Sequence, residues 1–163
     1  MRRVARSKAP TSDLDRFRRY MTDGPPGAHY FAVLLGLQTY DWPSLLRSVD
    51  RGLPYRVMEH LRENAGVADS VIFDWIQIAP RTADRRKQQG RFGPDESDRL
   101  LRVARILGRA IELFEGDRDE AMIWLTTGQP AFGGGVPIEI SRTELGAREV
   151  ENLIGRLEHG VFS

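Results

Sequence analysis

The segment from Pro94 to Phe114 carries the longest helical pattern in the sequence, and it constrains the fold more than any other feature. Its apolar residues recur at one-turn spacing and form a broad stripe. The members of this stripe are Leu100, Val103, Ala104, Leu107, Ala110, Ile111 and Phe114. Because Leu101, Ile106 and Leu113 fall outside the stripe, we expect burial on more than one side, as a central spine or at a dimer contact. A core spine is the simpler interpretation.

Shorter amphipathic segments, separated by glycine and proline, occur on both sides of this spine. The apolar stretch Tyr30 to Leu37 is too short for periodicity to separate helix from strand, and we favour helix. Other helices are predicted from Pro43 to Gly52, from Leu53-Pro54 to Gly66, from about Ala68, from Pro80 to Gly90, after Gly116, and from about Gly146. The pattern as a whole predicts an all-α fold.

Length and hydropathy are those of a soluble globular protein. The chain has 163 residues, 40% of them hydrophobic, and a mean hydropathy of -0.41, which suits one domain or two small subdomains. The apolar stretch from Tyr30 is far shorter than the ~20 residues that a membrane helix needs. The basic start Met1-Arg2-Arg3 is followed by charged residues, so no signal-peptide core follows it. We therefore expect no membrane span and a cytoplasmic location.

The residue types that carry catalysis or bind metals are absent or scattered. Without cysteine, the chain has no disulfide, thiolate metal site or cysteine nucleophile. The three histidines, His29, His60 and His159, lack metal-ligand spacing. The glycine run 133–135 lacks the preceding strand and following helix of a phosphate-binding loop, and a flexible turn explains it better. No catalytic residue, metal or cofactor is therefore predicted.

Charge is segregated along the chain although the net charge is only +1. Residues 80–91 contain five positive residues against one negative, whereas residues 112–120 contain five negative against one positive. The basic segment is a predicted short helix that follows another short helix after a tight turn. This is the pattern of a helix-turn-helix, in which the second helix enters the DNA major groove.

Six residues in or just after the basic helix are candidates for contacting DNA. They are Arg81, Thr82, Arg85, Arg86, Lys87 and Arg91. The threonine hydroxyl suits a phosphate, and the arginines suit phosphates or a guanine edge. A basic surface helix in an all-α protein explains the same pattern about as well, because the turn lacks the glycine often found there.

The two ends of the sequence are harder to interpret. Residues 1–29 contain a short amphipathic stretch with Leu14, Phe17 and Met21 on one side, and we expect a partly ordered arm of unassigned role. At the other end, Gly160-Val161-Phe162-Ser163 follows the last predicted helix directly. Its apolar residues either fold back on the core or are offered to a partner.

A series of short sequence motifs runs in order from Gly52 to Ser163. The motifs are Gly52-Leu53-Pro54, Ile78 to Thr82, Arg85-Arg86, Arg99-Leu100, Ala121, Trp124-Leu125, Ala131 to Gly134, Pro137-Ile138, Thr143, Gly146, Val150, Leu153 and Arg156 to Gly160. In this order and spacing they resemble the Xre/MbcA/ParS antitoxins, the partners of RES-domain toxins. The sequence departs from the usual pattern at Ala83 and Phe132, where leucine is common, and at Gly128, where proline is common.

The resemblance implies an all-α homodimer that binds its own operator through the helix-turn-helix and covers the active site of a RES toxin. RES toxins of this kind consume NAD, so the chain would be an inhibitor without a cofactor of its own. The implied domains are an N-terminal arm and short helical segment (1–40), an Xre-like helix-turn-helix domain (41–93), and a long helix with a toxin-binding domain (94–163). The implied toxin-binding residues are Trp124, Arg156, His159, Gly160, Val161, Phe162 and Ser163.

A second interpretation is a transcriptional regulator that has a helix-turn-helix but no toxin partner. A RES-type gene beside this one would favour the antitoxin, and a solitary gene would favour the regulator.

Overall fold

A computed structural model describes residues 12–24, 29–38 and 41–160. Its α-helices are α1 (Asp13–Asp23), α2 (Trp42–Asp50), α3 (Arg56–Ala65), α4 (Asp69–Trp75), α5 (Pro80–Gln89), α6 (Pro94–Leu113), α7 (Arg118–Thr126), α8 (Pro137–Ile140) and α9 (Glu144–Glu158). Tyr30–Leu35 and Pro130–Phe132 are 3-10 helices. Within the described ranges the β structure amounts to two isolated bridges, Pro54 to Arg91 and Gln129 to Gly135. The prediction of an all-α fold is confirmed.

Helix α6 is the spine of the molecule. It packs against α2, α3, α7, α9 and the 3-10 helix Tyr30–Leu35. Ile106, which lies outside the main apolar stripe, is fully buried together with Leu107. Leu101 and Leu113 are partly buried against the same core. Burial on several sides confirms the expectation of a central spine.

The N-terminal region contributes to the core, which the expectation of a partly ordered arm did not foresee. Phe17 of α1 is fully buried, and its ring lies 5.6 Å from that of Tyr30. A side chain at Gly108 of α6 would approach Phe31 at 3.1 Å and Phe17 at 3.3 Å, so this glycine lets both segments lie close to the spine. The stretch from Tyr30 is helical as favoured, in the 3-10 form.

Helix α3 begins later than the sequence predicted. Leu53 and Pro54, expected to open the helix, are extended and pair with the chain that follows α5. The Phe92 amide donates to the Leu53 carbonyl at 2.9 Å, and the Tyr55 amide donates to the Gly90 carbonyl at 2.9 Å. Tyr55 and Phe92 also stack, with ring centroids 5.3 Å apart. These contacts fix the end of α5 beside the start of α3.

The turn between α4 and α5 forms without glycine because Gln77 adopts the left-handed conformation, with φ 55°. The Gln77 amide donates to the Asp74 carbonyl at 3.1 Å, and the Ile78 amide donates to the Phe73 carbonyl at 2.9 Å. These two bonds close the end of α4 in the manner of a Schellman motif. The buried Ile78 side chain then anchors the turn to the core.

Replacing Gln77 with glycine is expected to stabilise the protein by about 1 kcal/mol, because left-handed geometry costs a residue with a Cβ about that much. Urea unfolding of wild type and variant measures the difference. Glu59→Gly, at an exposed position inside α3, is the matched control and should destabilise by roughly 0.5–1 kcal/mol. Equal destabilisation by both glycines would contradict the assigned role of Gln77.

The C-terminal part folds back along α6. The expected loop after α7 contains a short helix that the sequence did not predict, α8, and α9 begins two residues before Gly146, at Glu144. Thr143 caps α9 by accepting a hydrogen bond from the Gly146 amide at 3.0 Å. A side chain at Gly146 would lie 1.9 Å from the Ile140 carbonyl oxygen, so glycine is required where α9 crosses the end of α8.

None of the helices in the described ranges has the length and apolar character that crossing a membrane requires.

Candidate functional site

Helix α5 presents an outward face that carries positive charge. Its buried residue is Ala83, and Arg81 and Arg85 lie on the opposite side, both exposed and one turn apart. In the described part of the chain, neither guanidinium has an ion-pair partner. Lys87 is also exposed. These side chains are therefore available to phosphates or base edges.

Two of the six candidate DNA-contacting residues are instead engaged within the chain. Arg86 forms an ion pair with Glu96 at the start of α6, with Nε 2.7 Å from Oε2. Arg91 donates to the carbonyl of Arg51 at 3.3 Å and to that of Gly52. The remaining candidate, Thr82, is half-buried. The sequence places all six residues in or just after one helix. It does not show in which direction each side chain points.

Gln88 is a candidate that the sequence analysis missed. It is exposed and lies three residues after Arg85, on the same face of α5. A glutamine amide pairs with the major-groove edge of adenine. The spacing of Arg81, Arg85 and Gln88 along one helical stripe is the signal that would have identified it.

Four of the predicted toxin-binding residues fall on α7, on α9 or directly after α9. Arg156, His159 and Gly160 are exposed together at the end of α9. Trp124 lies on α7 and is half-buried against the core, and its carbonyl accepts a hydrogen bond from the Gln129 side chain at 3.0 Å. The other predicted residues lie outside the described residues: Val161, Phe162 and Ser163.

Two large apolar side chains in this region are exposed, which the sequence analysis did not single out. Ile123 on α7 is 59% exposed, and Leu145 on α9 is 73% exposed. Both residues lie outside the apolar stripe of their helix. An apolar residue at such a position is the sequence signal that could have identified them. Exposed apolar side chains beside polar ones are common at protein interfaces, so both are added to the candidate surface.

Ion pairs tie α9 to α6 along their length. Arg105 contacts Glu144 at 3.0 Å and Glu151 at 2.7 Å. Further along, Arg109 contacts Glu158 in the last turn of α9 at 2.9 Å. The two helices run in the same direction, so Gly160 is held near the C-terminal end of α6.

Tyr30 joins this network at the end of α9. Its hydroxyl donates to the carboxylate of Glu112, which also accepts a hydrogen bond from Arg109 at 2.7 Å. Burial and the contact with Glu112 raise the pKa of Tyr30 from 10.0 to about 12.

Ionisation of Tyr30 is therefore expected near pH 12 in the folded protein. Because the pKa is raised on folding, its contribution to stability is complete below pH 10.0 and is lost as the pH rises from there through about 12. Ultraviolet titration of wild type and Tyr30→Phe, while circular dichroism confirms the fold, isolates this group in the difference curve. A midpoint near 10 would contradict the described contact with Glu112.

The described ranges contain no group of three or more histidine, aspartate and glutamate side chains placed to hold a metal ion.

Two family models match this chain, one over each of the two regions. Residues 44–105 match the antitoxin Xre-like helix-turn-helix domain, and residues 109–160 match the antitoxin Xre/MbcA/ParS C-terminal toxin-binding domain. The chain is 37% identical to an "Antitoxin Xre" of Yersinia enterocolitica over 130 residues, covering 79% of this chain and 88% of the relative. The chain belongs to the Xre family of antitoxins.

Two further relatives carry the same name. An "Antitoxin Xre" of Photorhabdus laumondii is 35% identical over 132 residues, covering 79% of this chain and 88% of the relative. One of Pseudomonas putida is 35% identical over 66 residues, which are 40% of this chain and 41% of the relative. Antitoxins are regulatory proteins, so membership of the family confirms the prediction of a protein that is not an enzyme.

Family membership also implies the kinds of partner that this antitoxin has. The helix-turn-helix domain implies DNA, and the toxin-binding domain implies a toxin. The match to a toxin-binding domain argues against the alternative, a regulator without a toxin partner. Both matched ranges extend into α6, and the predicted domain boundary after residue 93 stays a prediction.

Proposed function

We propose that this antitoxin binds and occludes the active site of a RES-domain toxin that degrades NAD, and that it represses its own operon as a homodimer. It would form part of a type II toxin-antitoxin system and act in the cytoplasm, where its operator lies. The single observation that carries the proposal is the order of its two matched domains, helix-turn-helix followed by toxin-binding domain, on one helical body.

The outward face of α5 supports the DNA-binding part of the proposal. Arg81 and Arg85 are exposed, unpaired in the described residues and one turn apart, on the second helix of a helix-turn-helix. A homodimer places two such helices about one turn of DNA apart, so their phosphate contacts add. This addition compensates for the small number of charges on each helix.

The end of α9 supports the toxin-binding part. Arg156, His159 and Gly160 are exposed there, and the Arg109–Glu158 ion pair holds the last turn against α6. Gly160, the last described residue, is therefore held beside the end of α6. We propose that Val161 and Phe162, which follow it in the sequence, insert into the toxin's catalytic cleft, because burial there would remove their apolar side chains from water.

Co-expression with the product of the neighbouring gene, one partner tagged, tests the proposal. The expected result is copurification of both proteins and normal growth, with growth arrest when the toxin is expressed alone. Copurification without rescue of growth would contradict occlusion of the active site. Rescue without a complex would contradict direct binding.

A further inference from the structure

We propose that Arg86 is a positioning residue for DNA recognition: through Glu96 it fixes the angle of α5 on α6, and it does not itself contact DNA. The inference rests on the proposed DNA-binding role of α5 and deepens it. It also changes how the basic segment is interpreted, since one of its central arginines then acts inside the protein.

The contact between Arg86 and Glu96 is two-pronged and shielded. Nε of Arg86 lies 2.7 Å from Oε2 of Glu96, and Nη2 donates to Oε1 at 3.0 Å. The side chains are only 23% and 10% exposed. The remaining nitrogen, Nη1, donates to the Gln89 side chain at 2.9 Å. Nη1 and Nη2 thus donate hydrogen bonds within the chain, whereas the buried Nε contacts the Glu96 carboxylate without the geometry of a hydrogen bond.

Glu96 is in turn fixed to the backbone at the start of α6. Its Oε2 accepts a hydrogen bond from the Gly93 amide at 2.7 Å, which completes a cap on the helix. Burial acts to raise the pKa of Glu96, but the Arg86 side chain and the Gly93 amide outweigh it and hold that pKa below its usual range. Glu96 is thus an ionised, immobile partner for Arg86.

Helix α5 needs such a connection because little else holds its middle. Among its ten residues, Pro80–Gln89, Ala83 is the one that is buried. An alanine methyl buries little apolar surface, so it resists rotation of the helix only weakly. The ends of α5 are held by Ile78 before the helix and by the pairing of Gly90 with Tyr55 after it. The Arg86–Glu96 pair supplies the fixed contact between these ends.

DNA-binding titrations over a range of salt concentrations distinguish positioning from direct contact. The probe is a duplex that carries the operon's own promoter, and the chain is used in full. Removing a residue that neutralises one phosphate lowers the slope of log K against log[salt] by about 0.9. Removing a positioning residue lowers K at every salt concentration and leaves that slope unchanged.

Arg86→Gln and Glu96→Gln are each expected to weaken binding about tenfold, ~1.4 kcal/mol, with an unchanged salt slope. The Glu96 variant is decisive, because removing an anion near DNA would strengthen binding if charge alone mattered. The double variant should be no weaker than either single variant, since both remove one contact. Asp95→Asn, which removes the same charge from the neighbouring exposed position on α6, is the matched control and should not weaken binding.

Three results would overturn the inference: a lower salt slope for Arg86→Gln, a neutral or strengthening effect of Glu96→Gln, or additive losses of affinity in the double variant. Thermal unfolding confirms that each variant is folded at the titration temperature. If Arg86→Gln does not fold, Arg86→Lys, which keeps the charge but cannot form the two-pronged pair, should show the same reduction in affinity.

The variant Arg85→Gln distinguishes failure of this inference from failure of the proposed function. It should weaken binding and lower the salt slope. If it does so while Arg86→Gln behaves in the same way, the positioning role alone is wrong. If Arg85→Gln has no effect on the binding of a folded chain, α5 is not the DNA-contacting helix and both proposals fall.

Discussion

Removing Val161, Phe162 and Ser163 is expected to weaken toxin binding by about 30-fold or more, the ~2 kcal/mol typical of a central apolar contact. The reason is that these residues supply the apolar end that we propose enters the toxin's cleft. Because they follow α9, which ends at Glu158, its ion pairs with α6 remain in place. Isothermal titration of the purified toxin with the shortened chain measures the change.

The control for this truncation lies outside the part of the chain that matches the toxin-binding domain. Arg56 on α3 is exposed and belongs to neither candidate surface, so Arg56→Ala should leave toxin affinity unchanged. The fold of the shortened chain is checked by its thermal unfolding. If the shortened chain binds the toxin as tightly as wild type, the proposed role of residues 161–163 is wrong.

Replacing both Arg81 and Arg85 with glutamine is expected to reduce promoter binding by about 100-fold or more, since each contact contributes ~1–3 kcal/mol. The salt slope should fall by about 0.9 for each phosphate that the variant no longer neutralises. Both side chains are exposed and have no ion-pair partner in the described ranges, so stability should change little. Gel-shift titrations at several salt concentrations measure both quantities.

The control for this pair replaces Arg148 and Arg156, two exposed arginines of α9, with glutamine, which removes the same two positive charges from outside the helix-turn-helix match. It is expected to leave both affinity and slope near their wild-type values. Equal losses of affinity from the α9 and α5 variants would show that overall charge, and not the face of α5, determines binding.

Helix content and the central position of α6 were predictable because both depend on local periodicity. Apolar residues on several sides of one long helix imply that other helices surround it, and Ile106 is buried as this reasoning requires. Breakers such as Gly90 also mark helix ends reliably, since glycine adopts the left-handed conformation without strain.

Helix starts were less predictable because they depend on contacts between distant segments. Leu53 and Pro54 resemble a helix start, but residues 90–92 engage their backbone instead. Gly146 resembles a helix boundary, whereas it lies inside α9 and permits the close approach of α8. A single sequence contains no local signal for either contact.

The direction in which each charged side chain points was also not predictable from the sequence. Arg85 and Arg86 are neighbours in a basic run, yet one is exposed and the other is paired with Glu96, ten residues away. The helical angle of Arg86, closer to Ala83 than to Arg81, was the available signal. Its partner became apparent only from the structure, which brings Glu96 at the start of α6 within 2.7 Å of Arg86.

The most direct test measures NAD consumption by the proposed RES-domain partner, purified, while the antitoxin is titrated in. We expect NAD consumption to fall with added antitoxin and to stop at a fixed molar ratio, because each bound antitoxin occludes one active site. Undiminished NAD consumption in the presence of saturating antitoxin would contradict this expectation.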